Sequence, residues 1–124
     1  MLFRSLYYYF SNEMHEAIDI VDTRTLEVVD HIPLSGRPNN ISMSREIRKL
    51  YVGIRGGGPY TDVIDIDTHE VIRTIRMHRG VHNIYVTDDE RWAVASLAPG
   101  PDNPEWQMLA SWVRGELTGS TCPG

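Results

Sequence analysis

The chain has 124 residues, 41% of them apolar and 23% charged, a balance that supports one packed domain and excludes the weakly hydrophobic, highly charged composition of a disordered chain. Its formal charge of −5, with eleven Arg and the single Lys49 scattered along the sequence, excludes wrapping of a nucleic acid or adhesion to an anionic membrane, since both need clustered cations. No apolar stretch approaches the roughly 20 residues of a membrane span, and the lone Cys122 excludes an intrachain disulfide.

In chain order, Met1 to Phe10 carries one Arg and a Tyr-Tyr-Tyr-Phe run, with neither an apolar signal core nor a small-residue cleavage site; no signal peptide is visible and the segment reads as a strand. Further short β-rich runs follow at about 17–22, 26–33, 40–44, 49–55, 62–67, 70–77, 83–87 and 91–97, bounded by Gly, Pro, Asn and Asp. They repeat. Asn40-Ile41-Ser42-Met43-Ser44 returns as Asn83-Ile84-Tyr85-Val86-Thr87, 43 residues on, and Leu50 to Ile54 matches both Leu6 to Phe10 and Ala93 to Leu97. Ile18 to Thr23 matches Val63 to Thr68 with a spacing of 45, the difference assigned to a longer turn at Arg24-Thr25-Leu26.

Four runs per period, here named a to d, describe antiparallel four-stranded units of 40 to 45 residues. The first copy holds b, c and d (5–34), the second all four (40–77), and the third a and b (83–97). Ile20-Val21, Val63-Ile64 and Val28-Val29 are apolar on both faces, as sheets buried on both sides require. The expected fold is all-β: four-stranded antiparallel propeller blades in an incomplete propeller over residues 1–98, with a Pro/Gly-rich loop, a short C-terminal α-helix and a tail over 99–124. The helix is placed at about 104–115, where Trp106, Leu109, Trp112 and Val113 make a stripe behind an Asn103 cap and Pro104.

The strings Ile20 to Thr23, Asp65-Ile66-Asp67-Thr68, Tyr51-Val52 and Tyr85-Val86-Thr87, with the apolar strands Val28 to Leu34 and Val71 to Met77, resemble YVTN β-propeller repeats over about residues 5–97. That family builds closed rings, commonly of seven blades, and the resemblance implies a periplasmic or extracellular setting. Two features depart from it. The usual Asp-Gly turn between a and b is replaced by Arg45 to Arg48 and by Asp88 to Arg91, and no strand c is visible after Leu97.

Strand parity gathers the d–a and b–c connections at one end of the blades, and loops on a rigid scaffold carry function more often than strands do. The candidate ligand-binding residues there are Arg37, Asn39, Asn40, Arg55, Tyr60, His78, Arg79, His82 and Asn83, offering donors to an anionic or carbonyl-bearing ligand; the competing reading is that the Asn and Gly residues supply turn geometry while Arg and His are solvated. The other end is expected to hold only compact turns. His78 and His82 lie in a Gly-containing loop with no third ligand nearby, so no metal is assigned. Gly56-Gly57-Gly58 precedes a strand where a nucleotide site needs a helix, so no cofactor is assigned. Asp22 and Asp67, each directly before Thr, are expected to close the c–d hairpins as Asx turns.

The expected function is a repeat module that binds a protein or small ligand without catalysis of its own, its partners being further propeller blades, another protein or a second copy. The alternative is a fragment of a propeller enzyme of the amine-dehydrogenase, nitrite-reductase or lactonase kind, or a truncated product without independent function.

Overall fold

In the computed structural model of the chain, residues 6–97, 106–110 and 119–121 are described. They form strands only: β1 (Tyr7–Asn12), β2 (Ala17–Asp22), β3 (Val28–Pro33), β4 (Arg37–Ser44), β5 (Lys49–Gly56), β6 (Tyr60–Asp65), β7 (Glu70–Arg76), β8 (Val81–Val86), β9 (Trp92–Leu97), β10 (Trp106–Ala110) and β11 (Gly119–Thr121). Consecutive strands pair antiparallel into three sheets, β1-β2-β3, β4-β5-β6-β7 and β8-β9-β10-β11. The chain is thus a stack of propeller blades whose ring is not closed among the described residues.

The tail differs from expectation. Trp106 to Ala110 lies inside the predicted helix, yet it is strand β10, pairing with β9 from Trp106 opposite Ser96 to Ala110 opposite Trp92. β11 then adds outside it, Met108 opposite Thr121. The physical reason is the edge of β9: a helix would leave its row of N–H and C=O groups unpaired, whereas a strand satisfies them. Strand c is therefore present after Leu97, delayed by the Pro-rich connection, and the third sheet has four strands like the second. The remainder of the predicted helix, 104–105 and 111–115, lies outside the described residues.

The turns fix the repeat more sharply than the strings do. Asp22 Oδ1 accepts the N–H groups of Arg24 (2.7 Å) and Thr25 (3.2 Å), and Asp65 Oδ1 accepts those of Asp67 (2.8 Å) and Thr68 (3.3 Å). Both turns close with a left-handed residue, Leu26 (φ 59°) and His69 (φ 60°), whose N–H donates to the carbonyl of Asp22 (2.8 Å) or Asp65 (2.9 Å). The structural counterpart of Asp22 is thus Asp65 and not Asp67, and strands c and d keep the same 43-residue spacing as strand a. Asp67 instead accepts Arg48 Nε at 2.9 Å.

Two apolar layers hold the stack together. Between the first and second sheets, Ile18, Ile20 and Ile32 meet Leu50, Val52, Ile54, Ile64 and Ile66, with Tyr7, Tyr9 and Val71 packed at the margin. Between the second and third, Tyr51, Val63, Ile75 and Met77 meet Val81, Ile84, Ala93, Ala95 and Leu97. Burial pushes the Tyr51 phenol pKa well above its ordinary value. Gly53 permits the second contact, because a Cβ there would stand 2.6 Å from Val81 Cγ1.

Side chains also stitch sheet to sheet. Asn40 Oδ1 accepts the Ile84 N–H (2.7 Å) and its Nδ2 donates to the Ile84 carbonyl (3.3 Å), so one amide clamps both backbone groups of one residue in β8. Asn39 Nδ2 donates to the His82 carbonyl, and Ser42 Oγ accepts the Val86 N–H at 2.9 Å. The crossover from β3 to β4 is fastened by Asp62, a fully buried carboxylate that accepts the Ser35 N–H (2.7 Å), Ser35 Oγ (2.9 Å) and Thr74 Oγ1 (2.7 Å).

Candidate functional site

At the end where the d–a and b–c connections meet, backbone approaches backbone. A Cβ on Gly36 would collide with the Gly56 carbonyl, and one on Gly80 would come within 2.7 Å of the Arg55 carbonyl. Met77 N–H donates to the Pro59 carbonyl, and in the first sheet Leu34 N–H donates to that of Glu16, so the first two blades each tie their exit to their own b–c loop.

The residues expected to bind a ligand here divide into two groups. Asn39 and Asn40 hold β8, as described, and Tyr60 packs against the layer between the first two sheets while its ring covers Gly58. Arg37, Arg55, His78 and His82 are exposed, and Arg79 and Asn83 half-exposed. The Arg37 guanidinium lies over Gly56. His82 is the extra residue of a bulge in β8, since Val81 and Asn83 stand opposite the adjacent pair Leu97 and Ser96. Among the described residues no three His, Cys, Asp or Glu side chains converge on a possible metal position, and no helix is long and apolar enough to cross a membrane.

The opposite end, expected to hold only compact turns, carries an open cleft. A cleft of about 660 Å³ lies between the start of β1, the β4–β5 turn and the β6–β7 turn. Tyr7 and Tyr9, alternate residues on one face of β1, stand edge-on to the His69 ring at centroid distances of 5.5 and 6.1 Å. His69 Nδ1 is 3.5 Å from Asp30 Oδ2, and the Arg48–Asp67 pair closes another wall. Met43 and Arg45 border the cleft from β4 and the following turn, whose backbone is held by Glu90 Oε1 accepting the Arg45 N–H at 2.7 Å. Desolvation raises the Tyr9 phenol pKa, with the Arg48 charge partly opposing it. The Tyr-x-Tyr alternation was the available sequence signal; His69 joins it only because the turn after β6 brings it back over β1.

The cleft lies beside the edge of β1 that carries no paired strand among the described residues. In the second and third sheets an inner strand, β4 or β8, covers β5 or β9, but among the described residues β1 pairs on one side only.

The chain is similar to solved propeller structures. It superposes on hydrazine synthase of Kuenenia stuttgartiensis with a TM-score of 0.81 at 20% identity, covering 94% of this chain and 34% of that one. On the dihydro-heme d1 dehydrogenase NirN the TM-score is 0.74 at 14% identity, covering 95% of this chain and 27% of that one. On the β-propeller domain of Myceliophteria thermophila Cps50 (Swd1) it is 0.61 at 17% identity, with 82% and 34% covered. The chain thus spans about a third of each neighbour or less, and identities this low speak for the fold alone. No curated protein sequence matches. The repeat, the three stacked sheets and a family model matching residues 3–91 agree: this chain belongs to the YNCE-like β-propeller family.

Proposed function

We propose that the chain is a non-catalytic binding scaffold that takes further propeller structure as its partner across the outer face of its first sheet. The observation that carries this reading is a mismatch between equivalent faces. Pairing places Tyr8 and Phe10 on the side of β1 that corresponds to Leu50 and Val52 on β5. Leu50 and Val52 are 1% and 0% exposed because the first sheet covers them; Tyr8 and Phe10 are each 53% exposed, and Val28 beside them is 51% exposed. A contiguous aromatic and β-branched patch of this kind, built on positions that the fold buries elsewhere, is an interaction surface.

At the loop end, Arg37, Arg55, His82 and Asn83 are the side chains that carry a role in holding a small anionic or carbonyl-bearing ligand. This second contact is secondary to the sheet face, because Asn39, Asn40 and Tyr60 are already engaged within the fold.

Analytical ultracentrifugation of the chain over a range of concentrations tests the main reading. Concentration-dependent association that Phe10→Asp abolishes without loss of β-sheet signal is the expected result. A monodisperse, cooperatively unfolding monomer at every concentration, unchanged by Phe10→Asp, overturns it.

A further inference from the structure

The first two sheets follow one repeat, so a position that keeps its place but changes its chemistry marks where the first sheet departs from the common pattern. Strands c and d hold such a position. In the second sheet Asp62 stands opposite Thr74 and accepts its Oγ1 at 2.7 Å. In the first, 43 residues earlier, Asp19 stands opposite His31 and meets its Nδ1 at the same 2.7 Å. A threonine hydroxyl uses its only donor on this bond. An imidazole has a second nitrogen: the carboxylate can only accept, so Nδ1 carries the proton and Nε2 of the neutral ring keeps an available lone pair.

A second imidazole stands nearby. His15 and His31 line a pocket of about 360 Å³ together with Ala17 and Pro33. The His15 ring is close enough to Asp19 for its charge to act on the carboxylate. Asn12 ties both histidines to one support: its Oδ1 accepts the His15 N–H at 3.1 Å, and its Nδ2 donates to Asp19 Oδ2 at 2.9 Å. The turn is held further by the left-handed Glu16 (φ 51°), whose carbonyl accepts the Leu34 N–H at 2.9 Å. The backbone of one histidine and the ring of the other are thus fixed through the same amide. This place stays open even where a sheet lies on the corresponding face, because Thr74 and Arg76, the counterparts of His31 and Pro33, are exposed although the first sheet packs on the second.

We propose that His15 and His31 form a binding site for one divalent transition-metal ion of the nickel, copper and zinc group. Imidazole nitrogen suits these ions, whereas calcium and magnesium call for oxygen ligands. His31 coordinates through Nε2, and Asp19 behind its Nδ1 fixes the tautomer and the ring orientation, as outer carboxylates do for metal-bound histidines. Asp19 is therefore a positioning residue. Two protein ligands leave the other coordination positions to water, so the site is open and exchanges its ion, unlike a structural zinc site closed by four side chains. The site goes beyond the proposed partner binding, since it needs neither the Tyr8–Phe10 face nor the arginines of the loop end.

The test is titration of Cu²⁺, the ion of this group that binds nitrogen ligands most tightly, to millimolar concentration into the whole chain. The expected result is saturable binding of one equivalent, with paramagnetic broadening of amide signals centred on His15, Ala17 and His31 and an electron paramagnetic resonance spectrum of a copper ion with two nitrogen ligands. His15→Gln and His31→Gln each abolish this binding and keep the β-sheet signal, both side chains being exposed. Asp19→Asn weakens binding by about tenfold, because the ring loses the carboxylate that holds it. A merely structural Asp19–His31 bond would lower the melting temperature of Asp19→Asn and leave its copper affinity unchanged. Absence of saturable binding, broadening centred on His69, His78 or His82, or unchanged affinity in any of the three variants overturns the proposal.

Discussion

The first and second sheets follow one repeat pattern, yet they are buried to very different degrees. Asp19 and Asp62 stand 43 residues apart at the same place on strand c. Asp62 is fully buried, with three hydrogen bonds that fasten the crossover from the previous sheet. Asp19 keeps 18% of its side chain exposed and bonds to His31 Nδ1 (2.7 Å) and Asn12 Nδ2 (2.9 Å). Val21 and Ile64 make a similar pair, half-buried against fully buried. The repeat specifies a strand and its two faces; a neighbouring sheet decides whether a face is core.

That comparison is easiest to break in the second sheet. Ile64→Ala removes a buried side chain from the layer between the first two sheets and is expected to cost about 3 kcal/mol, whereas Val21→Ala costs under about 1 kcal/mol. Denaturant unfolding of both variants reads the difference, and equal losses would show that the first sheet is as well covered as the second. Asp62→Ala follows at about 2–3 kcal/mol, since it leaves the donors of Ser35 and Thr74 without their acceptor, against about 1 kcal/mol for Asp19→Ala. Thermal melts of the two single variants measure this.

A smaller effect sharpens the role of the cross-sheet clamp. Asn40→Ala breaks both bonds to Ile84 and is expected to cost about 1–2 kcal/mol, with hydrogen exchange of the Ile84 amide accelerating more than that of amides in β6. Uniform acceleration across both would mean that Asn40 does not act locally.

Acid provides a test that treats the two sheets alike. Burial alone would raise the Asp19 and Asp65 carboxyl pKa values. Hydrogen bonds from His31 and Asn12 on Asp19, and from the Asp67 and Thr68 amides and Lys49 on Asp65, hold both below the ordinary value. Carboxylates depressed in the folded state contribute stability that is full above the unfolded value of about 3.9 and is lost as pH falls from there through the folded pKa values. Stability measured from pH 6 downward should decline below about pH 4, and Asp65→Asn should flatten part of that decline.

The smallest prediction concerns the two left-handed turn residues. Leu26, exposed and without ring partners, should gain up to about 1 kcal/mol as Leu26→Gly, while His69→Gly should not, because its ring packs between Tyr7 and Tyr9. Comparison of melting temperatures separates the two.

Strand existence and order were legible from residues 5 to 97 because alternation and turn residues are local signals. The Asp22 correspondence was misplaced by two residues, since Asp-x-Asp-Thr in the second copy offers two aspartates for one turn role, and only the backbone bonds select Asp65. The ligand-site expectation was readable as a loop cluster, but Asn39 and Asn40 looked like free donors because a bond to a strand 43 residues away leaves no trace in local sequence.

Composition, the repeat and its turn chemistry by themselves determined an all-β chain of stacked four-stranded units, since strand and hairpin preferences act within a few residues. Tertiary structure alone decided the rest. It turned Trp106 to Ala110 into β10, because an open edge on β9 outweighs a helical stripe, and it left Tyr8 and Phe10 exposed where their counterparts Leu50 and Val52 are buried. Each is a property of what lies beside a strand in space, which local preference does not encode.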